Sequence, residues 1–468
     1  MKSNGIHDLV IVGGGPAGLS AAAVGSELGL KTLVLDEQAG PGGQLYRNIE
    51  RVSQPSRKKL GADYEKGLVL IERFRKSGAD YQAGAVVWNV EHDGNVYYSA
   101  AGRSTQVRAR KVVIAIGATE RAVPFPGWTL PGVMGAGAID ANFKSSGSIP
   151  DEPVVLSGSG PLLLLVIGHL SSLGVEIRAV LDTTPSTNMV SAFSQLPGAL
   201  KRVGYLLKGV GMLANIKKTG IKYFRNVSDI QAHGNSCLES VSFTVKGTEK
   251  HLETGLLLCH EGVVSRCDFS MLLGLKHIWE PVQRYWYPET DVFGRTQSEN
   301  MYIAGDGAYV HGGVPAALKG SLAALDIAQK LGRLPPSEKS ETIPRLEKQL
   351  AWELAPRPFV DALYRPRKNL FAVADDTLVC RCEEVRAGDI RQAIREGCRE
   401  PNEIKALTRC GMGPCQGRMC GSALTEIVAA ELQIEPEVLQ PLKIRAPLRN
   451  LSLIELSEVQ LLEKPTHE

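Results

Sequence analysis

The first 236 residues of this 468-residue chain contain no cysteine, so the N-terminal half lacks the thiol pair that disulfide chemistry requires. A stretch of about 18 uncharged apolar residues is also missing, and no transmembrane helix is expected. The N-terminal apolar run Leu9–Val12 is too short for the core of a secretory signal and leads straight into glycines, as a buried strand does. Net charge is small: 53 Lys and Arg stand against 50 Asp and Glu, a formal +3, without a long basic run interleaved with aromatics. Nucleic acid is therefore not an expected partner. The expected location is cytoplasmic, with peripheral attachment to the inner face of the membrane left open.

What is present is ordinary globular material, 43% hydrophobic and 22% charged, in a chain long enough for two to four domains. Of nine cysteines, five (Cys380, Cys382, Cys410, Cys415, Cys420) crowd into one segment, which suits a metal site better than a disulfide framework. From Asp8 to Asp36 the pattern reads strand, glycine turn, alanine-rich helix, strand. A second β-α-β unit starts at Pro153, with the strand Val154–Leu156, the turn Gly158–Gly160, a leucine-rich helix and the strand Val175–Leu181. The polar stretch Pro335–Glu341 reads as a linker, and Ser422–Leu432 as an amphipathic helix.

In Gly13-Gly14-Gly15-Pro16-Ala17-Gly18 the first glycine permits the tight turn, the second lets backbone approach a pyrophosphate, and the third lets helix and strand pack closely. Asp36, closing the next strand, can accept from ribose hydroxyls. Gly42-Gly43-Gln44, Ile114-Ala115-Ile116-Gly117-Ala118 and Tyr302-Ile303-Ala304-Gly305-Asp306 follow further along. Together these residues resemble the flavoprotein family of thioredoxin reductases, over residues 1 to about 335. The resemblance implies FAD held by Gly13, Gly15, Pro16, Ala17, Gly18, Asp36, Glu37, Gly43, Gln44, Gly117, Gly305 and Asp306, with Asp306 at the ribityl–pyrophosphate region. The missing cysteine pair argues against disulfide reduction.

The second turn, Gly158-Ser159-Gly160-Pro161, has Leu163 where a third glycine would stand, which should hold the helix away from the strand. No arginine occupies the place expected for a 2′-phosphate, so NADP is disfavoured. Three readings stay open for this unit: a vestigial domain, an adenine-nucleotide (ATP) site, or a working NAD site.

Cys380-x-Cys382, 32 intervening residues, then Cys415-x4-Cys420 can hold either [2Fe–2S] or a structural zinc. The segment from Leu378 to Leu432 resembles bacterioferritin-associated ferredoxin, which implies [2Fe–2S] on Cys380, Cys382, Cys415 and Cys420, with Cys410 set aside. His311-Gly312-Gly313 is a loop that can lie near a flavin ring.

The order of these units, with Pro124-Phe-Pro-Gly-Trp128 and Phe359-Val-Asp-Ala-Leu-Tyr-Arg-Pro366, resembles the larger (alpha-type) subunits of opine oxidases, hydroxyproline dehydrogenases and hydrogen cyanide synthase. That resemblance implies an α/β fold of two Rossmann-like domains and a small helical [2Fe–2S] domain. It divides the chain into residues 1–125 plus 270–335 (FAD), 126–269 (second nucleotide domain), 336–375 (linker), 376–435 (ferredoxin-like) and 436–468 (tail). It further implies a companion flavoprotein related to D-amino-acid oxidases, with a small third polypeptide as an additional candidate partner and FMN at an interface as a candidate cofactor. The expected activity is electron transfer in an amine dehydrogenase such as opine oxidase or D-hydroxyproline dehydrogenase; the alternatives are a self-contained NAD(P)H-dependent flavin reductase or a hydrogen cyanide synthase subunit. No constellation of residues marks an amine-oxidising pocket, and no catalytic residue is assigned.

Overall fold

In a computed structural model, which describes residues 6–457, the chain builds a mixed sheet, a second sheet of parallel strands and a helical C-terminal unit. The first sheet runs in the order Asp80–Ala83, Thr32–Asp36, His7–Val12, Arg103–Ile114, Asn95–Ala100, Val86–Val90, with Met301–Ile303 also paired to the long strand. His7–Val12 sits centrally, parallel to both neighbours, with Val12 opposite Leu35 and Ile114. A strand covered on both faces must be apolar throughout, which is why Leu9, Val10 and Ile11 have no exposure. The helix Pro16–Glu27 carries small residues because it is pressed between strand and helix: a Cβ on Gly320 of the helix Gly313–Lys330 would lie 2.0 Å from the Ala17 carbonyl oxygen.

The second sheet is parallel throughout, in the order Lys222–Arg225, Ile177–Asp182, Val154–Ser159, Leu256–Glu261, Val133–Gly135. A three-stranded antiparallel sheet, Ser228–His233, Ser240–Val245 and Thr248–Glu253, packs Ala232, Val241 and Phe243 against the face of the second sheet that carries Val155, Ala179, Leu181 and Leu257.

The C-terminal unit packs Ile390, Ile404, Leu424, Ile427 and Val428 around buried Cys380, Cys410 and Cys420. Trp128 Nε1 donates to the Leu378 carbonyl at 2.7 Å, and buried Glu426 pairs with Arg284, so this unit is tied to the body. Two expectations differ here. Residues read as a linker form the helices Ile343–Leu354 and Arg357–Leu363, and Ile343 and Leu350 join the core of the first sheet. Residues read as a tail place Ile444 and Leu448 in the other core of that sheet, while 458–468 lie outside the described residues. Local polarity hid both: one apolar residue per helical turn is enough to anchor a segment against an existing core.

Candidate functional site

A crevice of about 940 Å³ opens where both sheets present the C-terminal ends of their strands. Gly13 has φ of +106°, and a Cβ there would lie 2.6 Å from the Ala115 carbonyl oxygen, so only glycine fits the turn. Gly15 differs: its φ of −80° suits any residue, and a Cβ would meet no protein atom closer than 3.9 Å. The space beside Gly15 therefore belongs to the crevice. Gly13, Gly15, Pro16, Ala17, Asp36, Glu37, Gly43, Gln44, Gly117 and Asp306 all line it. Gly18 and Gly305 do not. A Cβ on Gly18 would strike the Gly13 carbonyl oxygen at 1.9 Å and one on Gly305 the Ala17 Cβ at 2.7 Å, so they permit close packing behind the wall.

Asp36 is buried, with Oδ1 accepting from the Gln38 amide at 3.1 Å and Oδ2 from the Tyr81 hydroxyl at 2.9 Å. Burial raises its pKa despite these donors. Asp306 Oδ1 accepts from the amides of His311 and Gly312 at 2.8 and 2.9 Å, fixing the turn that aims the N-terminus of Gly313–Lys330 into the crevice. Two helix N-termini thus open on one elongated cavity, as a ligand with two phosphates and a polar chain requires. The residues present fit FAD. His311 also lines this end, stacked on Tyr309 with ring centroids 4.6 Å apart, and burial lowers its pKa to about 2.

The second glycine turn opens on the same cavity and repeats much of the first. Asp182 accepts from the Thr184 amide and the Tyr223 hydroxyl, both at 2.9 Å, matching Asp36 with Gln38 and Tyr81. Its first helical turn is looser: the Leu164 amide donates to the Gly160 carbonyl at 3.5 Å, against 2.9 Å for Leu19 and Gly15. The mouth is also acidic. Glu120 accepts from the Gly137 amide at 3.0 Å and pairs with His260 Nδ1 at 2.7 Å, and Glu261 lies alongside with its pKa raised by burial. Two carboxylates at a phosphate-binding turn oppose an anionic ligand.

The cysteines come together at the far wall. Sγ atoms of Cys380, Cys410 and Cys420 lie within 4.8 Å of one another, all buried. Cys382, exposed, and Cys415, half-buried, are hydrogen-bonded to each other beside them. Cys410, set aside on spacing, thus shares one buried group with Cys380 and Cys420. Hydrogen bonds from Cys410 and Cys420 hold the Cys380 thiol far below its ordinary range. The loop is tight, with φ of +67° at Arg409, +88° at Gly411 and +79° at Gly417, and a Cβ on Gly413 would lie 2.2 Å from that of Cys382. A convergent thiolate set in a glycine-rich loop fits an iron–sulfur cluster. Cys415, Arg418 and Met419 line the FAD crevice.

Sequence reasoning missed several groups. Arg266, Arg418 and Arg449 converge on buried Asp268 at 3.0, 3.6 and 3.9 Å, and Arg449 also reaches Glu37 at 3.7 Å, bridging the cysteine loop to the ribose end of the crevice. A buried set of Lys144, Asp140 and His169 stands at the opposite wall, with Asp140 2.7 Å from His169. Burial raises the Asp140 pKa, but the His169 hydrogen bond and the Lys144 charge outweigh it and the carboxyl stays low. Only Arg418 carried a signal, lying inside the Cys415–Cys420 spacing.

Comparison with known proteins agrees with this architecture. Residues 7–332 match the family described as pyridine nucleotide-disulphide oxidoreductase, and residues 378–430 match the BFD-like [2Fe-2S] binding domain. The A subunit of opine oxidase from Rhizobium meliloti is 37% identical, over 97% of this chain and 99% of the relative. The HcnB subunit of hydrogen cyanide synthase from Pseudomonas aeruginosa is 32% identical, over 88% of this chain and 90% of the relative. The solved L-proline dehydrogenase of P. horikoshii superposes with a TM-score of 0.73 at 18% identity, covering 97% of this chain and 79% of that one, a likeness of fold. Among the described residues, no helix is long and apolar enough to cross a membrane.

Proposed function

The chain belongs to the pyridine nucleotide-disulphide oxidoreductase family, and from that premise we propose that it is the electron-transferring subunit of a heteromeric dehydrogenase that oxidises opines or related secondary amines. The observation that carries this reading is one cavity lined both by Gly13–Ala17 and by Cys415, in a chain aligned almost end to end with an A subunit of opine oxidase. FAD takes up two electrons as hydride and can release them singly, and a [2Fe–2S] centre accepts one at a time. Gly13 and Gly15 leave room for the pyrophosphate, the amides opening Pro16–Glu27 face it, and Asp36 accepts from the ribose. Asp306 orients the turn whose helix N-terminus meets the other end. Cys380, Cys382, Cys415 and Cys420 are proposed as the cluster ligands, with Cys410 a buried neighbour that is not a ligand.

The boundaries 1–125 plus 270–335 for the flavin domain, 126–269 for the second nucleotide domain and 376–435 for the cluster domain are part of the same proposal. So is a companion flavoprotein that removes hydride from the amine. The acidic mouth of the second turn speaks against a self-contained NAD(P)H reductase. The test is dye reduction with opine and proline-type substrates, on the isolated chain and on the co-expressed complex. Turnover is expected only from the complex, and equal turnover by the isolated chain would move amine oxidation into it.

A further inference from the structure

Between Asp182 and Asp229 the chain has no acidic residue, yet it carries Lys201, Arg202, Lys208, Lys217, Lys218, Lys222 and Arg225. The same segment holds the main concentration of exposed large apolar side chains among the described residues. Met189, Val190 and Phe193 are 60%, 80% and 71% exposed, and Leu207 and Val210 are 64% and 62% exposed.

The helix Val203–Lys218 explains how both properties meet on one surface. Only Ile216 in it is buried; with half-buried Met212 it joins the core of the second sheet. Val203, Leu207, Val210 and Ala214, spaced at i, i+4, i+7 and i+11, form a stripe on the opposite side. Lys217 and Lys218 flank the end of that stripe, and Lys201 precedes its beginning; all three are exposed and none has an acidic partner among the described residues. Lys208, by contrast, is paired with Asp63 on the side facing the body. A helix facing only water would place polar residues where this one places valine and leucine.

We propose that the face formed by residues 188–218 docks on an anionic lipid bilayer, with its apolar side chains at the headgroup–acyl boundary and Lys201, Lys217 and Lys218 at lipid phosphates. Composition favours lipid over protein. Protein interfaces are depleted in lysine, and their energetic centres favour Trp, Tyr and Arg over Leu and Val. Lysines flanking aliphatic residues and phenylalanine, with the neighbouring acids Asp63 and Glu353 already paired to Lys208 and Arg202, form the pattern of helices that lie in a bilayer surface. The proposal is independent of the electron-transfer reading, since it uses none of the residues assigned to flavin or cluster.

The test is co-sedimentation of the full chain, purified with its flavin, on vesicles of equal parts phosphatidylglycerol and phosphatidylcholine, and on phosphatidylcholine alone. Pelleting is expected with the anionic vesicles, little with the neutral ones, and a fall as salt screens the exposed charges. The double substitution Leu207→Glu with Val210→Glu should abolish pelleting. Lys217→Ala with Lys218→Ala, both fully outside the core, should weaken binding roughly fivefold per lysine removed. The proposal is overturned if the parent protein stays in the supernatant with anionic vesicles, or if the Leu207/Val210 variant pellets like the parent. If the parent fails to pellet but these substitutions release a co-purifying polypeptide, the face is a protein interface and the lipid assignment is wrong.

Discussion

Replacing Gly15 with valine separates cofactor retention from folding, because the backbone there is already in an extended conformation that valine favours, with φ of −80°. A Cβ at Gly15 would stand 3.9 Å from the nearest protein atom, so the fold has room for it. The branched methyls would instead occupy the space proposed for the pyrophosphate. Two charge-assisted hydrogen bonds from helix amides are worth about 1.5–3 kcal/mol each. Losing both costs about 3–6 kcal/mol, or more than a hundredfold in flavin affinity. Gly18→Val is the contrast: its Cβ would strike the Gly13 carbonyl oxygen at 1.9 Å, so that variant should lose the fold itself. The assay is flavin-to-protein ratio after gel filtration, with thermal unfolding of the flavin-free forms. Gly15→Val should unfold like the stripped parent and carry almost no flavin. Full FAD occupancy in Gly15→Val would show that the cofactor does not cross the turn there.

Serine at Cys380, Cys382, Cys415 or Cys420 should remove or strongly alter the visible absorption of the cluster, whereas Cys410→Ser should keep it; loss of the cluster in Cys410→Ser would reassign the ligands. Arg284→Ala leaves buried Glu426 without its partner and should destabilise the attachment of the cluster domain by about 3–5 kcal/mol, read as an earlier unfolding step in urea. His277 is hydrogen-bonded to buried Ser270, and burial lowers its pKa to about 4. The unfolded chain therefore takes up a proton between the ordinary value of 6.5 and about 4 that the native state refuses, and stability falls as pH drops through that window. The loss should be about 2 kcal/mol between pH 7 and about pH 5, and the urea midpoint of His277→Gln should be correspondingly less sensitive to acid.

The two glycine turns and their β-α-β surroundings were legible because the chemistry of such a turn is confined to a few consecutive residues. Tyr81 on Asp36 was not, since it is a cross-strand contact set by the register of Val34 with Tyr81 and no spacing rule announces it. Nor were the three arginines on Asp268, which arrive from a strand end, the cysteine loop and the C-terminal segment. Spacing also says nothing about depth: Cys410 looked separable from the quartet, yet its thiol lies inside the group while Cys382 is exposed. The helices at 343–363 were hidden by their polar outer faces.

The central claim, that amine oxidation by a companion delivers electrons to the cluster in this chain, is tested most directly by electron paramagnetic resonance of the anaerobic co-expressed complex after addition of an opine. A reduced [2Fe–2S] signal should appear only with substrate, vanish in Cys415→Ser, and be absent from the isolated chain given the same opine. A complex that turns over the opine while its cluster stays oxidised, or a signal that survives in Cys415→Ser, would contradict the account.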